Sequence, residues 1–325
     1  MKRYGGTSKY TLLCVREIES MRFFSLANVI EKAKSQTSAK KVAIAGADYR
    51  PIIQAAMMAQ KDGFVEPIFI GNASKITEML KELDEAAINV HIVDASEANA
   101  AAFEAVRLVR EGMADFIMKG MLNTSQILKA VLNKETGLPH GDTVTQVSFI
   151  QIPGYHKIVI LCDGAIIPYP TLDQKISQIN AVTHTLHNMG YENDIKVAVL
   201  CASEEINPKI LESIEANQLK QMNLNEEITG CIVEGPISLD IALDRHTAEK
   251  KKFESEVAGD ADVLLVPSLV AGNLLSKALT SFAGAVSAGM VVGASVPISL
   301  TSRVATVEQK YTSLAIASTA AKKGG

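Results

Sequence analysis

The chain has 325 residues, which at roughly 150 residues per domain corresponds to about two domains. Apolar residues make up 47% of the chain and charged residues 21%. This composition excludes an intrinsically disordered protein, which combines low hydrophobicity with a large charge imbalance. The 32 basic and 36 acidic side chains give a net charge of −4, so no basic surplus exists to hold a nucleic acid by its phosphates. We therefore expect a globular protein without a nucleic-acid partner.

The cysteine pattern and the N-terminus indicate where the protein works. The four cysteines show no Cys-x-x-Cys spacing, and they are Cys14, Cys162, Cys201 and Cys231. The last three lie in apolar runs, where free cysteine often serves as a small buried side chain. Such usage is typical of a reducing compartment, and we predict a cytoplasmic protein. Residues 1–22 contain no apolar run of signal-peptide length. Their composition indicates no regular structure, so we expect them to be poorly structured, with Met21 as an alternative start.

Short β-branched runs alternate with longer amphipathic stretches along the chain. The runs that predict strands are residues 40–47, 66–72, 89–95, 114–120, 144–152, 157–163, 196–202, 228–235, 261–267 and 289–298. The stretches that predict helices include residues 50–61, 97–112, 124–134, 171–189, 238–253, 271–283 and 306–321. Most of the strands are apolar throughout, as strands covered by helices on both faces are. The alternation predicts an α/β fold with a largely parallel sheet.

One pair of predicted strands differs from the rest. Only four residues separate residues 144–152 from residues 157–163. A parallel connection needs a crossover of a dozen or more residues, so we predict an antiparallel hairpin here. The hairpin follows a loop at residues 137–142, where we place a domain boundary with four strands before it and six after it.

The 25 residues at 278–302 carry no charge, a length that would suffice for a membrane-spanning helix. Seven of them are Ser or Thr, and Pro297 interrupts the second half of the run. A helix followed by buried strands explains this composition better. We expect no membrane partner.

The common cofactor fingerprints are absent from the sequence. It holds neither G-x-x-x-x-G-K-[ST] nor a G-x-G-x-x-G that follows a strand. His184 and His187 have helical spacing, but no cysteine or carboxylate beside them completes a metal set. We predict no metal site and no cofactor.

Anion-binding groups gather at three junctions between a strand and a helix. In the first junction, residues 119–125, Asn123 or Thr124 can cap the following helix, whose free N–H groups would face an anion. Lys119 adds a positive charge, and Gly120 permits close approach to the backbone. The alternative interpretation is an ordinary helix cap beside a surface lysine.

The other two junctions lie in the C-terminal part of the chain. Residues 271–277 place Asn273 at a helix start behind a buried strand, which by itself is a weak signal. Residues 297–303 end a buried strand with Thr301, Ser302 and Arg303. A guanidinium presents a planar fork that matches two phosphate oxygens, and an arginine directly after a long uncharged run favours a functional role.

Several motifs in order resemble the phosphate acetyl/butyryl transferase family. VPSLVAGNLLSKALTSFAGAVSAGMVVGASVPISLTSRVATVEQKYTSLAIA at 266–317 resembles its C-terminal signature. EGPISLDIAL at 234–243, CDGAIIPYPTLDQKISQINA at 162–181 and KGMLNTSQILKAVL at 119–132 extend the resemblance upstream, so that it covers most of the chain from about Phe23 onward. GASVPISLTSR and PTLDQK are closer to the phosphate butyryltransferase branch than to the acetyl branch.

The resemblance implies a reversible reaction in which acyl-CoA and phosphate give an acyl phosphate and CoA. It also implies an isocitrate/isopropylmalate dehydrogenase-like fold, with two domains in a three-layer αβα sandwich. In that fold the C-terminal segment returns to the first domain, which gives a first domain of residues 1–142 plus 298–325 and a second of residues 143–297. The active-site cleft would lie between them, and the protein would be a homodimer or a larger homo-oligomer.

The same resemblance assigns the site residues. Arg303 is expected to grip phosphate, and Ser302 to steady the developing thiolate or oxyanion. Lys129 stands where the acetyl branch has an arginine. The remaining candidates for binding phosphate and CoA are Lys119, Gly120, Asn123, Thr124, Asn273 and Thr301.

The sequence also departs from the family pattern at its acidic positions. The acetyl branch has an aspartate where this chain has Gln309, and the butyryl branch has one where it has Ala305. Ser268 and Val270 likewise stand where the butyryl branch tends to be acidic. Glu308 is the only nearby carboxylate in the sequence and becomes the candidate catalytic base.

Three alternatives to a butyryl-transferring enzyme with Glu308 as its base remain open at this point. The CoA thiol is deprotonated by other means in an active enzyme, or the chain is a weakened member that binds CoA or acyl phosphate. The third alternative is a phosphate acetyltransferase, because acyl-pocket size cannot be read from one sequence. An NAD-dependent dehydrogenase on the same fold lacks support, since no metal-binding cluster of aspartates is visible.

Overall fold

The computed structural model describes residues 22–84, 90–192 and 194–322. The expectations for residues 1–21, including Met21 and Cys14, lie outside these ranges. Eleven strands are found within them: β1 Lys40–Ala45, β2 Val65–Gly71, β3 His91–Asp94, β4 Phe116–Lys119, β5 His140–Gln151, β6 Ile158–Cys162, β7 Ile195–Leu200, β8 Cys231–Ile237, β9 Val263–Leu265, β10 Val286–Ala294 and β11 Ile298–Leu300.

Eleven helices accompany these strands in the described part of the chain. They are α1 Leu26–Lys34, α2 Arg50–Lys61, α3 Ala73–Glu82, α4 Ala98–Arg110, α5 Thr124–Val131, α6 Leu172–Asn188, α7 Leu211–Leu224, α8 Leu239–Leu243, α9 Arg245–Lys250, α10 Leu269–Phe282 and α11 Val307–Ala320. Of these, α1, α3 and α7 are not among the predicted helices. Within the described residues, no helix is both long and apolar enough to cross a membrane.

The strands form one sheet in the order β3-β2-β1-β4-β11-β10-β5-β6-β9-β7-β8. The first five strands of that order run parallel to one another, and so do the last four. Between them, β10 and β5 pair antiparallel with their neighbours and with each other. The predicted hairpin is confirmed as the antiparallel pair β5–β6. The division into domains at residue 142 stays a prediction.

Helices cover the sheet on both faces, which makes three layers. In β1, Val42 and Ile44 pack with α2 and α11, whereas Ala43 and Ala45 pack with α4. In the other half of the sheet, alternate residues of β6 pack against α6 on one face and against α8 on the other. Continuously apolar strands are therefore buried on both faces, as the sequence pattern predicts.

The predicted strand at 289–298 is wrong, because the chain reverses within it to form β10 and β11. Gly293 has φ +96°, and a Cβ there would meet the carbonyl oxygen of Thr143 at 2.3 Å. Pro297 cannot donate to a ladder, and Ile298 after it pairs with Ile117 of β4. The whole run is apolar, so its composition hides the reversal.

The predicted helix at 238–253 is also wrong as a single element. It divides into α8 and α9 at Asp244, whose backbone is extended with φ −127° and ψ 108°. The Asp244 carboxylate accepts hydrogen bonds from His246 N at 3.0 Å and from the Thr247 hydroxyl at 2.6 Å. An aspartate that caps a helix in this way begins a new one.

The two parallel sets run in opposite directions and are offset along the strand axis, and this offset brings their carboxyl ends to one row at the centre of the sheet. The register runs across the sheet through the pairs Met118–Ser299, Leu300–Gly289, Gly289–Ser148 and Ser148–Leu161. The ends of β4, β11 and β6 therefore lie on one row. Ligands of open α/β sheets bind beyond the carboxyl ends of strands, and this row is where a site is expected.

Candidate active site

A cleft of about 300 Å³ opens at this row, and we name it the central cleft. The segments that follow β11 and β6, the inner face of α10 and the first residue of α5 line it. Of the residues that the sequence singles out, the lining includes Thr124, Asn273, Thr301, Ser302, Ala305 and Gln309. The apolar part of the wall is formed by Leu161, Ala288 and Leu300.

Arg303 links the segment that follows β11 to the start of α5, beside the cleft. Its Nη2 donates to Oδ1 of Asn123, 180 residues earlier in the chain. Asn123 is the N-cap of α5, and its backbone N–H donates to Oε1 of Gln126 at 2.9 Å. Arg303 is exposed, and within the described residues its other N–H groups have no partner. They are available to an anion above the start of α5.

Lys119 is the last residue of β4 and lies near the Arg303 guanidinium. The residue is 4% exposed, and its ammonium donates to the carbonyl oxygens of Gly120 at 3.2 Å and Leu122 at 3.1 Å. Burial, followed by the positive charges of Arg303 and Lys310, lowers the pKa of Lys119 to about 8. The surface-lysine interpretation is therefore wrong for the placement of this side chain.

Lys310 is a residue that the sequence analysis missed. It is 1% exposed, and its Nζ donates to the carbonyl oxygens of Ser302 at 3.3 Å and Ala305 at 2.6 Å. Burial lowers its pKa. No sequence signal separates it from a surface lysine, because the burial of its helix face depends on tertiary packing.

Lys119, Arg303 and Lys310 form what we name the cation cluster. Within the described residues, none of the three lies within salt-bridge distance of a carboxylate. A buried ammonium without an acid is costly, and a bound anion offsets that cost. The cluster flanks Ser302 and Thr124 at the cleft, and it fits a phosphate.

Gly120 lies so close to the backbone of residues 45 and 46 that no side chain fits there. A Cβ at this position would lie 2.1 Å from the carbonyl oxygen of Gly46 and 2.6 Å from that of Ala45. The backbone N–H of Gly120 donates to Ala45 O at 2.8 Å. The close approach that the sequence predicts is therefore between β4 and β1, and it positions Lys119.

The opposite wall depends on Asp163, which the sequence analysis did not single out. Its buried carboxylate accepts hydrogen bonds from Thr145 Oγ1 at 2.8 Å, Ala165 N at 2.7 Å and Ile166 N at 2.9 Å. In the same loop, the carbonyl oxygen of Gly164 accepts a hydrogen bond from Asn273 Nδ2 at 3.2 Å. An acidic residue directly after a buried strand was the available signal.

Six predicted residues are not among those that line the cleft, namely Lys119, Gly120, Asn123, Arg303, Glu308 and Lys129. Asn123 and Arg303 each directly adjoin a lining residue, whereas Glu308 and Lys129 do not belong to the groups described above. Glu308 is exposed on the first turn of α11, where its own backbone N–H and the Thr306 hydroxyl hold the pKa of its carboxyl below the usual range. Lys129 is exposed in the last turn of α5. Gln309 lines the cleft, and its Oε1 accepts from Thr306 N at 3.0 Å. The roles of Glu308 and Lys129 stay predictions that this geometry does not favour.

Metal ligands do not gather near the cleft or elsewhere in the ranges described. No group of three or more His, Cys, Asp or Glu there could hold a metal ion. His187, half of the histidine pair in the sequence, has its ring nitrogens 2.7 Å from Tyr191 O and 3.0 Å from Gly230 O.

Comparison with known proteins decides the family. Residues 98–318 match the family described as "Phosphate acetyl/butaryl transferase". The chain belongs to this family. It is 38% identical to a phosphate butyryltransferase of Clostridium acetobutylicum over 293 residues, which cover 90% of this chain and 97% of the relative. It is 37% identical to a phosphate acetyltransferase of Thermotoga maritima, with 90% and 98% covered. The chain is therefore an acyltransferase of this family.

Solved structures of this acyltransferase family share the fold. A branched-chain phosphotransacylase from Enterococcus faecalis is 32% identical and superposes with a TM-score of 0.75, covering 86% of this chain and 98% of that one. Dehydrogenases also superpose, and at 14% identity they show the fold alone. The predicted dehydrogenase-like α/β sandwich is confirmed.

Proposed function

We propose that the enzyme transfers a short acyl group, butyryl or similar, between CoA and phosphate, reversibly. The observation that carries this proposal is the cation cluster beside Ser302, which supplies positive charge without a competing carboxylate. Phosphate is a mixture of monoanion and dianion near neutral pH, so this positively charged wall suits phosphate. The remaining wall, with Leu161, Ala288 and Leu300, suits a short apolar chain.

The chemistry needs no covalent enzyme intermediate. A phosphate oxygen attacks the thioester carbonyl, the C–S bond breaks, and CoA leaves as a thiolate. Arg303 and Lys119 hold the phosphate, while the Ser302 hydroxyl donates to the developing negative charge. A phosphate dianion already has unprotonated oxygens, so the attacking oxygen needs no general base, and the remaining proton passes to solvent from the acyl phosphate. Glu308 would matter only when the free thiol attacks. Holding both reactants in contact supplies much of the acceleration.

We also propose that the enzyme is a cytoplasmic homodimer or larger homo-oligomer and that it needs no metal or nucleotide cofactor. The oligomer is supported by the exposed apolar row Val270, Leu274 and Phe282 on α10. Asn273, Ser276 and Lys277 of the same helix line the central cleft, so an interface through this row would lie beside the cleft.

The acyl preference is expected to favour four-carbon chains. One methylene in an apolar pocket changes the rate by roughly 10–200-fold. The measurement is phosphate-dependent CoA release, with EDTA present, from acetyl-, propionyl-, butyryl- and isobutyryl-CoA. The highest kcat/KM for acetyl-CoA would make the enzyme a phosphate acetyltransferase, the function favoured by its 37% identity to the Thermotoga relative. Absence of turnover with all four, together with retained CoA binding, would indicate a weakened member.

The KM for phosphate is expected to rise about tenfold between pH 7.5 and 9.5, because Lys119 loses its proton near its pKa of about 8. Below that pH the ammonium is charged and attracts phosphate, and above it the attraction is lost. Assays in the direction of acyl phosphate formation avoid titrating a substrate thiol. In Lys119→Met, KM should be high throughout and nearly independent of pH. An unchanged pH profile in this variant would remove Lys119 from phosphate binding.

A further inference from the structure

Lys310 lies in α11, a helix that is buried along most of its length. Its ammonium donates to Ser302 O at 3.3 Å and Ala305 O at 2.6 Å, the two ends of the segment that carries Arg303. The Tyr49 ring lies beneath it, with the Nζ 5.9 Å from the ring centroid. The side chain therefore reaches from the core to the turn that faces the cleft.

Two other buried lysines of this protein are paired with acids. Lys157 lies 2.8 Å from Asp260 and 2.6 Å from Asp262, and Lys175 pairs with Glu215. Lys310 has two carbonyl oxygens instead, within the described residues. Carbonyl partners leave its full positive charge uncompensated, and burial without a counter-charge costs stability. A residue that is costly for the fold and adjacent to an anion site points to a role in the site.

We propose that Lys310 is a positioning residue for phosphate: it fixes the segment 302–305 so that Ser302 and Arg303 face the start of α5. Its charge also adds to the potential at the cleft. This inference rests on the proposed function. Lys310 does not touch the reacting atoms, so its effect passes through Arg303 and Ser302.

We expect the fold to tolerate the loss of this ammonium. Ser302 is exposed and Ala305 is half-buried, so water can replace the Lys310 donors on their carbonyl oxygens. Methionine matches the unbranched lysine stem and fits the apolar surroundings. A displacement of about 1 Å in a binding group can cost about 100-fold in rate. Loss of the hydrogen bonds from Lys310 to the segment 302–305 should therefore weaken phosphate binding without unfolding the chain.

The test compares Lys310→Met and Lys310→Arg with the wild type in the full-length protein. In Lys310→Met we expect KM for phosphate to rise roughly 10- to 100-fold, with KM for acyl-CoA within twofold. The melting temperature should stay within about 3 °C of the wild-type value or exceed it. The increase in melting temperature caused by inorganic phosphate should disappear in the same variant. Lys310→Arg, which keeps charge and donors, should recover most of the phosphate affinity.

Lys157→Met provides the matched control. It also removes a buried ammonium, but this one pairs with Asp260 and Asp262 at the end of β6 away from the cleft, and the buried Asp262 then keeps only Arg22, at 3.7 Å, as a charged partner within the described residues. This variant should melt at a lower temperature and keep the wild-type KM for phosphate.

Each outcome for Lys310→Met decides the proposal. A wild-type KM for phosphate would overturn it, and so would an equal rise in both KM values. Failure of both Lys310 variants to fold would show a structural role instead and would equally overturn it. Failure of the proposed function looks different, because the wild type itself would then show no phosphate-dependent release of CoA.

Discussion

Replacing Arg303 with lysine is expected to lower kcat/KM for phosphate by roughly tenfold to a few hundredfold, although the charge is kept. The guanidinium donates one N–H to Asn123 and leaves others for phosphate. An ammonium is a point charge that cannot reproduce this planar fork. A hydrogen bond to a charged group contributes about 1.5–3 kcal/mol, which corresponds to that range. The measurement is steady-state kinetics with phosphate varied at saturating acyl-CoA.

Arg110→Lys is the matched control for this substitution. Arg110 ends α4 and is exposed, at the edge of the sheet where β4 begins rather than where it ends. Its replacement should leave kcat/KM unchanged. Asn123→Ala should give an intermediate loss, because it frees Arg303 without removing the fork. A fully active Arg303→Lys would remove the two-point contact from the mechanism.

Replacing Gly120 with alanine is expected to destabilise the protein by about 3 kcal/mol or more, the upper range for overpacking. The new Cβ would lie 2.1 Å from Gly46 O, a backbone atom that cannot rotate away. The strands β1 and β4 must then separate, and the hydrogen bond from Gly120 N to Ala45 O is lost. Lys119 moves with β4, so residual activity should show a raised KM for phosphate. Urea unfolding followed by circular dichroism measures the first effect.

Gly141→Ala makes the same chemical change without the collision. The nearest atom to its Cβ is Gly293 O at 3.9 Å, an ordinary van der Waals distance. We expect its unfolding midpoint to stay close to that of the wild type. Equal midpoints for the two variants would show that β1 and β4 can adjust, and that Gly120 is not required for their packing.

The local pattern of the sequence determined most elements and several candidates for the site. Apolar runs mark strands because most of these strands are buried on both faces, and the four-residue link forces a hairpin. Arg303, Ser302 and Thr124 were identifiable because they stand where a strand ends or a helix begins. Such positions are local, so composition and spacing reveal them. The acyltransferase family was recognisable from motifs in order.

Tertiary structure alone decided which of these positions meet. The reversal between β10 and β11 turns the strand after it toward β4, and this brings Arg303 to Asn123 across 180 residues. Lys310 is a candidate positioning residue only because tertiary packing buries its side chain beside the segment that carries Arg303. Glu308, two residues earlier, points to solvent. The distance between side chains that are remote in sequence depends on the register of the sheet. The burial of a helix face depends on what packs against it. The local pattern of apolar residues specifies neither of these.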